Sequence, residues 1–188
     1  MSYDDPIPLM PGVVMRVAVE SDAESLCSAY RRNRDHLQPW EPRRDDEFFT
    51  LDGQLVRLRS QLEQLEAKRM VPWLLLAQDA VIGRVNLSNV VLSAFRSATL
   101  GYWIDAEYQG RGLATSAVAS ACEAAREQLG LHRLEAGTAV DNVRSQRVLA
   151  KSGFELIGPA PAYLEIDGAW RDHLLFQKIL HDRSPFQG

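Results

Sequence analysis

Gln109-Gly110-Arg111-Gly112-Leu113-Ala114 follows the apolar stretch Leu100-Gly101-Tyr102-Trp103-Ile104 and runs straight into a helical pattern. Strand, glycine loop and helix in that order make an anion site. The first N–H groups of a helix have no intrahelical partner, and the helix dipole adds about half a positive charge there. Glycines allow a ligand close to the backbone and permit positive φ. Arg111 adds a planar cation suited to phosphate. A plain glycine turn before a helix would read the same way up to this point. Two nucleotide motifs are excluded, since neither Gly-x-x-x-x-Gly-Lys-Ser/Thr nor Gly-x-Gly-x-x-Gly is present here.

Downstream of the loop, Leu113, Ala114, Ala117, Val118, Ala121, Cys122 and Ala125 form one apolar stripe on a helix that Gly130 stops. His132 to Ala139 reads as a strand, Asn142 to Ser152 as a helix capped by Gly153, and Phe154–Gly158, Ala162–Ile166 and Trp170–Leu180 as strands. Upstream, residues 1–11 read as an irregular arm and Val13 to Glu20 as a strand. Ser21 with Glu24 reads as a capping box for a helix burying Leu26, Cys27 and Tyr30. Two prolines interrupt Leu37-Gln38-Pro39-Trp40-Glu41-Pro42. A second helix spans about Asp52 to Lys68. Strands Val71–Gln78 and Val81–Val91 follow around an Asp79-Ala80 turn, and then Ser97–Ile104. Three consecutive strands before the glycine loop argue for a mixed α/β sheet, not a doubly wound parallel one. The expected fold is about seven mostly antiparallel strands with helices on both faces.

The 188 residues suit a single domain, with 182–188 as a C-terminal tail. No apolar run approaches the ~18 residues of a membrane span. The acidic N-terminus is not a signal peptide, so a cytoplasmic location is expected. Cys27 and Cys122 lie in apolar helical patterns and read as core residues. The four histidines lack metal-ligand spacing, so no metal is expected. A net charge of −4 argues against direct nucleic-acid binding. It would suit a basic peptide substrate, although a mildly acidic surface also serves solubility.

Gln109-x-x-Gly112-x-Ala114 and Asn142-Val143-Arg144-Ser145, the latter followed by Gly153-Phe154, resemble the two signatures of the GNAT acetyltransferase superfamily. Four further segments resemble its RimJ/RimL branch, and RimJ more closely. They are residues 33–42, 86–91, 100–104 and 163–173. This branch acetylates the N-terminal residue of ribosomal proteins. The resemblance implies a GNAT fold and direct transfer of acetyl from acetyl-CoA to a primary amine.

Carried over residue by residue, Trp103 and Ile104 would offer backbone groups to the pantetheine and the oxyanion. Gln109, Gly110, Arg111, Gly112, Leu113 and Ala114 would hold pyrophosphate. Asn142 would bond the pantetheine arm and Arg147 a cofactor phosphate, while Ser145 would hydrogen-bond the leaving thiolate. The branch's glutamate base falls on Leu164, so that role does not carry over. Glu165 should face the other side of its strand, which leaves Glu41 or water as base. Trp40, Tyr102 and Tyr163 would line the acceptor side. Asn142 also reads as a helix N-cap.

The acceptor implied is a protein N-terminal α-amine, whose pKa of about 8 makes it easier to deprotonate than a lysine. A small amine, such as an aminoacyl antibiotic or a polyamine, is the alternative, and a non-catalytic acyl-CoA-binding module a further one. Carboxylates lining the cleft would favour polyamines. The chain would act as a monomer or homodimer.

Overall fold

The computed structural model describes residues 5–183. Eight strands form one sheet in the order β1-β2-β3-β4-β5-β6-β8-β7. They are β1 (Ile7–Met10), β2 (Val13–Val17), β3 (Val71–Ala77), β4 (Ala80–Val91), β5 (Ser97–Ile104), β6 (Arg133–Ala139), β7 (Glu155–Ile166) and β8 (Ala169–Ile179). The helices are α1 (Ala23–Arg32), α2 (Arg34–Leu37), α3 (Leu51–Glu66), α4 (Leu113–Glu127) and α5 (Val143–Lys151). Every strand pair is antiparallel except β5 with β6.

The sheet is covered on both faces because its central strand is apolar on both. Successive side chains of a strand point to opposite faces. Val71, Trp73 and Leu75 of β3 therefore join the core under α4 and α5, which includes Ala117, Val118, Ala121 and Leu149. Leu74 and Leu76 join the core under α1 and α3, with Leu26, Tyr30, Phe48 and Leu58. Ala117, Ala121 and Ala125 of α4 are fully buried, and small side chains let the helix lie close to the sheet.

Several sequence expectations are corrected. The arm is not irregular throughout: Ile7–Met10 pairs with β2 and supplies the eighth strand. Residues 1–4 and 184–188, the rest of the arm and most of the tail, lie outside the described residues. Ser21 does not cap α1. A 3-10 turn over Glu20–Asp22 comes first, and the Asp22 carboxylate accepts from Val19 N (2.8 Å) and pairs with Arg16 (2.7 Å). The hairpin between β3 and β4 turns on Gln78-Asp79, with Ala77 opposite Ala80 and Gln78 at positive φ. Phe154–Gly158 and Ala162–Ile166 are not separate strands: β7 is continuous, with a register shift between Ala160 and Leu164 and Ala162 at φ 46°.

One irregularity positions the site. β5 and β6 pair only at Ser97–Thr99 with Arg133–Glu135, although both strands continue, to Ile104 and Ala139. Beyond Thr99 they splay and open the sheet.

Candidate active site

The splay opens into a cleft of about 1240 Å³. Of the residues expected at the site, all but Arg111 line it. Arg111 donates to Glu107 O (3.0 Å) and stacks over Tyr108 instead.

Peptide groups along β5 alternate in direction. Asp105 N–H donates to Ile82 O (2.8 Å), so by register the Trp103 peptide addresses Arg84 of β4. Tyr102 and Ile104 point theirs into the gap. The backbone donors at the cleft thus come from Ile104 and Tyr102, while Trp103 contributes its side chain, whose Nε1 donates to Tyr30 Oη (3.2 Å).

At one end of the cleft lies the glycine loop. Gly110 (φ 74°) and Gly112 (φ 80°) both sit in the left-handed region. A Cβ on either would meet nothing within 4 Å and would project into open space. Gly112 is the N-cap of α4 and brings no side-chain cap, and the first intrahelical bond recorded there runs from Ser116 N to Gly112 O (3.0 Å). The N–H groups of Leu113, Ala114 and Thr115 are therefore left for an external acceptor. Gln109 does not turn to these N–H groups: its Nε2 contacts His36 Nε2 (2.7 Å) and its Oε1 accepts from Arg144 (2.8 Å). It braces the loop between α2 and α5. Arg144, exposed Arg147 and Lys151 line the cleft from α5. Open glycine cradle, unpaired helix N–H groups and nearby cations fit the diphosphate of acetyl-CoA.

Asn142 caps α5, its Oδ1 accepting from Ser145 N (3.1 Å). That cap sets the first turn of α5 so that Ser145 Oγ meets Tyr102 Oη at 2.8 Å. Either hydroxyl can donate, and Tyr102 Oη also lies 3.3 Å from Ser145 O. Burial pushes the Tyr102 phenol up to about 12, against a smaller lowering by Ser145. The phenol stays protonated at working pH. Tyr102 was expected on the acceptor side, yet it faces α5 and forms a hydroxyl pair with the expected acid.

The opposite, α1–α3 side of the cleft holds Glu41, Arg44, Arg57, Gln61, Arg84 and Trp40. Burial raises the Glu41 carboxyl above its ordinary value, and the charges of Arg44 and Arg84 only partly offset this. Glu41 Oε2 lies 3.7 Å from Arg44 Nε. Tyr163 and Leu164 both line the cleft from β7, beside its register shift, while Glu165 lines a second, neighbouring cavity.

Sequence reading missed Arg84, Arg57 and Gln61. Their signal was present: Arg84 and Asn86 interrupt an apolar strand at spacing two, and Gln54, Arg57 and Gln61 share one helix face. Cys122 is core, its thiol pushed up by burial. Among the described residues no helix is long and apolar enough to cross a membrane.

Sequence and fold are both shared with known proteins. The acetyltransferase (GNAT) domain family matches residues 13–155. The [ribosomal protein uS5]-alanine N-acetyltransferase of Escherichia coli (strain K12) is 37% identical over 175 residues, covering 92% of this chain and 90% of the relative. The ribosomal-protein-S5-alanine acetyltransferase of Vibrio fischeri superposes with a TM-score of 0.91 at 35% identity, over 95% of this chain and 98% of that one. RimJ of Mycobacterium smegmatis, solved in complex with CoA-disulfide, gives 0.87 at 31% identity, over 96% and 90%. With domain family, sequence relatives and splayed architecture in agreement, the chain is an acetyltransferase and belongs to the GNAT family, in its RimJ/RimL branch.

Proposed function

We propose that the chain works as a single catalytic domain that moves acetyl from acetyl-CoA to the N-terminal α-amine of a protein, a ribosomal protein by analogy with its relatives. The observation that carries this is the cleft through the splayed sheet. It is entered from the α4–α5 side by the glycine cradle and from the α1–α3 side by an open, aromatic-rimmed mouth.

Acetyl-CoA, when bound, supplies an acetyl thioester. The N–H groups of Leu113, Ala114 and Thr115 hold its diphosphate, with Arg144 and Arg147 nearby. The backbone at Tyr102 and Ile104 meets the extended arm and offers an N–H to the developing oxyanion. Glu41 accepts the proton from the incoming ammonium; burial brings its basicity toward neutrality, which suits a general base. The Tyr102–Ser145 pair donates a hydrogen bond to the departing sulfur, each hydroxyl polarising the other. Trp40 and Tyr163 flank the mouth.

The small-amine alternative loses its polyamine version. Among the described residues only Glu41 and Asp141 bring carboxylates to the cleft, against Arg44, Arg57, Arg84, Arg144, Arg147 and Lys151.

The test is thiol release from acetyl-CoA with peptides bearing a free or a blocked α-amine. Turnover of free-amine peptides alone is expected. Absence of turnover on every such peptide, with CoA still bound, overturns the proposal.

A further inference from the structure

Arg84 is 5% exposed. A buried charge is normally paired with an opposite one, because leaving water is costly. Its hydrogen-bond partners are neutral: Nε donates to Asn86 Oδ1 (2.8 Å) and Nη2 to Gln61 Oε1, and its charge reaches Glu41 only at longer range. Among the described residues no carboxylate lies within ion-pair distance of it, and its Nη1 has no hydrogen-bond partner. Arg44 Nε is buried without a hydrogen bond and has the Glu41 carboxylate 3.7 Å away. Arg57 makes no ion pair and sits 4.9 Å from the Phe48 ring centroid, while Arg44 lies 4.6 Å from it. The three cations converge on one wall of the cleft, where Glu41 is the single carboxylate. Arg44 and Glu41 also border the neighbouring cavity, where Asp45, Asp46, Glu165 and Asp167 supply carboxylates; Arg57 and Arg84 line the cleft alone.

We propose that Arg44, Arg57 and Arg84 form an anion pocket that selects α-amine acceptors carrying a carboxylate close behind the amine. This rests on the acetyl-transfer reading of the cleft. Arg84 is paired in register with Trp103, one strand from the splay. Adjacent strands lie about 4.8 Å apart and an extended chain advances ~3.3 Å per residue. The anion therefore falls roughly one to three residues beyond the acetylated one. Neutral amide partners hold the Arg84 fork in place and leave its charge for the ligand; a guanidinium fork matches a carboxylate with two parallel bonds. The pocket reverses the expectation drawn from net charge. The chain as a whole is acidic, yet the acceptor wall is cationic and suits an acidic N-terminal segment.

The experiment uses three peptides of equal length, each beginning with Ala. One carries Asp-Glu, one Asn-Gln and one Lys-Lys at positions two and three. For each, kcat/KM is measured by thiol release. Binding of the N-acetylated product peptides to the CoA-loaded protein is followed by calorimetry. The expected order is acidic, neutral, basic, with acidic over neutral by at least tenfold. That ratio should fall toward one in Arg84→Gln, and also in Arg57→Gln, whose side chain is exposed. Equal kcat/KM across the panel in the unaltered protein overturns the pocket and leaves acetyl transfer standing. Absence of turnover on all three overturns the function instead, and calorimetry then decides the pocket: tighter binding of the acidic peptide, lost in Arg57→Gln, upholds it, and equal binding overturns it.

Discussion

Replacing Gly112 with Val separates the fold's need for this glycine from the ligand's. Gly112 sits at φ 80° and ψ −1° as the N-cap of α4. An L-residue there costs about 1–2 kcal/mol, at the upper end for a β-branched side chain. A Cβ at this position meets nothing within 4 Å, so no steric clash adds to that cost. For a domain of this size each kcal/mol moves Tm by about 2–4 °C, so the protein without ligand should melt lower by about 2–8 °C. The valine methyls would occupy the cradle against the free N–H groups of Leu113 to Thr115. Coenzyme A at a hundred times its Kd stabilises the unaltered protein by about 2.7 kcal/mol. If the side chain weakens binding a hundredfold, the same concentration contributes only about 0.4 kcal/mol. Scanning calorimetry with and without CoA reads both effects. Gly168 supplies the control. It has the same φ of 80° and equally empty surroundings in the β7–β8 turn, away from the cleft. Gly168→Val should lose a similar amount of Tm and keep the full CoA shift. If Gly112→Val kept that shift as well, the assignment of the diphosphate to this loop would be refuted.

Ser145→Ala and Tyr102→Phe should each lower kcat by about a hundredfold. The double variant should be little worse than either, because the two hydroxyls act as one unit; additive losses would dissolve the pair. Ser145→Ala leaves the α5 cap intact, since Asn142 binds the backbone N–H of that residue, and its circular dichroism should not change. Glu41→Gln should remove the acidic limb of the kcat/KM pH profile. A base acts when deprotonated, so activity should rise with pH through a midpoint above the ordinary carboxylate range, where burial has placed the Glu41 carboxyl; an unchanged profile would transfer the role to water. Asp105→Ala should destabilise by about 2–3 kcal/mol. Its buried carboxylate accepts from Arg32 (2.6 Å), Asn33 (2.9 Å) and Glu107 N (3.0 Å), tying α1 to the end of β5. Burial pushes the Asp105 pKa up, yet these bonds outweigh it and hold the carboxyl below its ordinary value. The stability it contributes is therefore present above the unfolded pKa of about 3.9 and lost as pH falls through the lower folded value. Urea titrations at pH 7 and pH 3 should show the variant's deficit at the first and its shrinkage at the second.

Local interactions were legible in the sequence because the residues that make them are close in the chain. The Asn142 cap spans three residues, and the glycines at positive φ flank their own turn. The apolar run of β3 needs only the period of a strand to bury on both faces. The same local reading failed where a distant partner competed. Ser21 lost the cap to Asp22 and its ion pair with Arg16. Ile7–Met10 is a strand only because β2 offers an edge.

The sequence by itself determined the strand, glycine loop and helix over residues 97–127 and the capped helix that follows one strand later. Each rests on backbone geometry that a few neighbouring residues dictate. Only the tertiary structure decided which groups face one another across the opened sheet. Tyr102 and Ser145 are 43 positions apart, and Arg84 reaches Gln61 across 23. Nothing local distinguishes a polar side chain on β4 that faces solvent from one buried between neutral amides. That difference arises when β5 parts from β6 and α3 brings Gln61 to Arg84, and it is what gives the cleft its cationic wall.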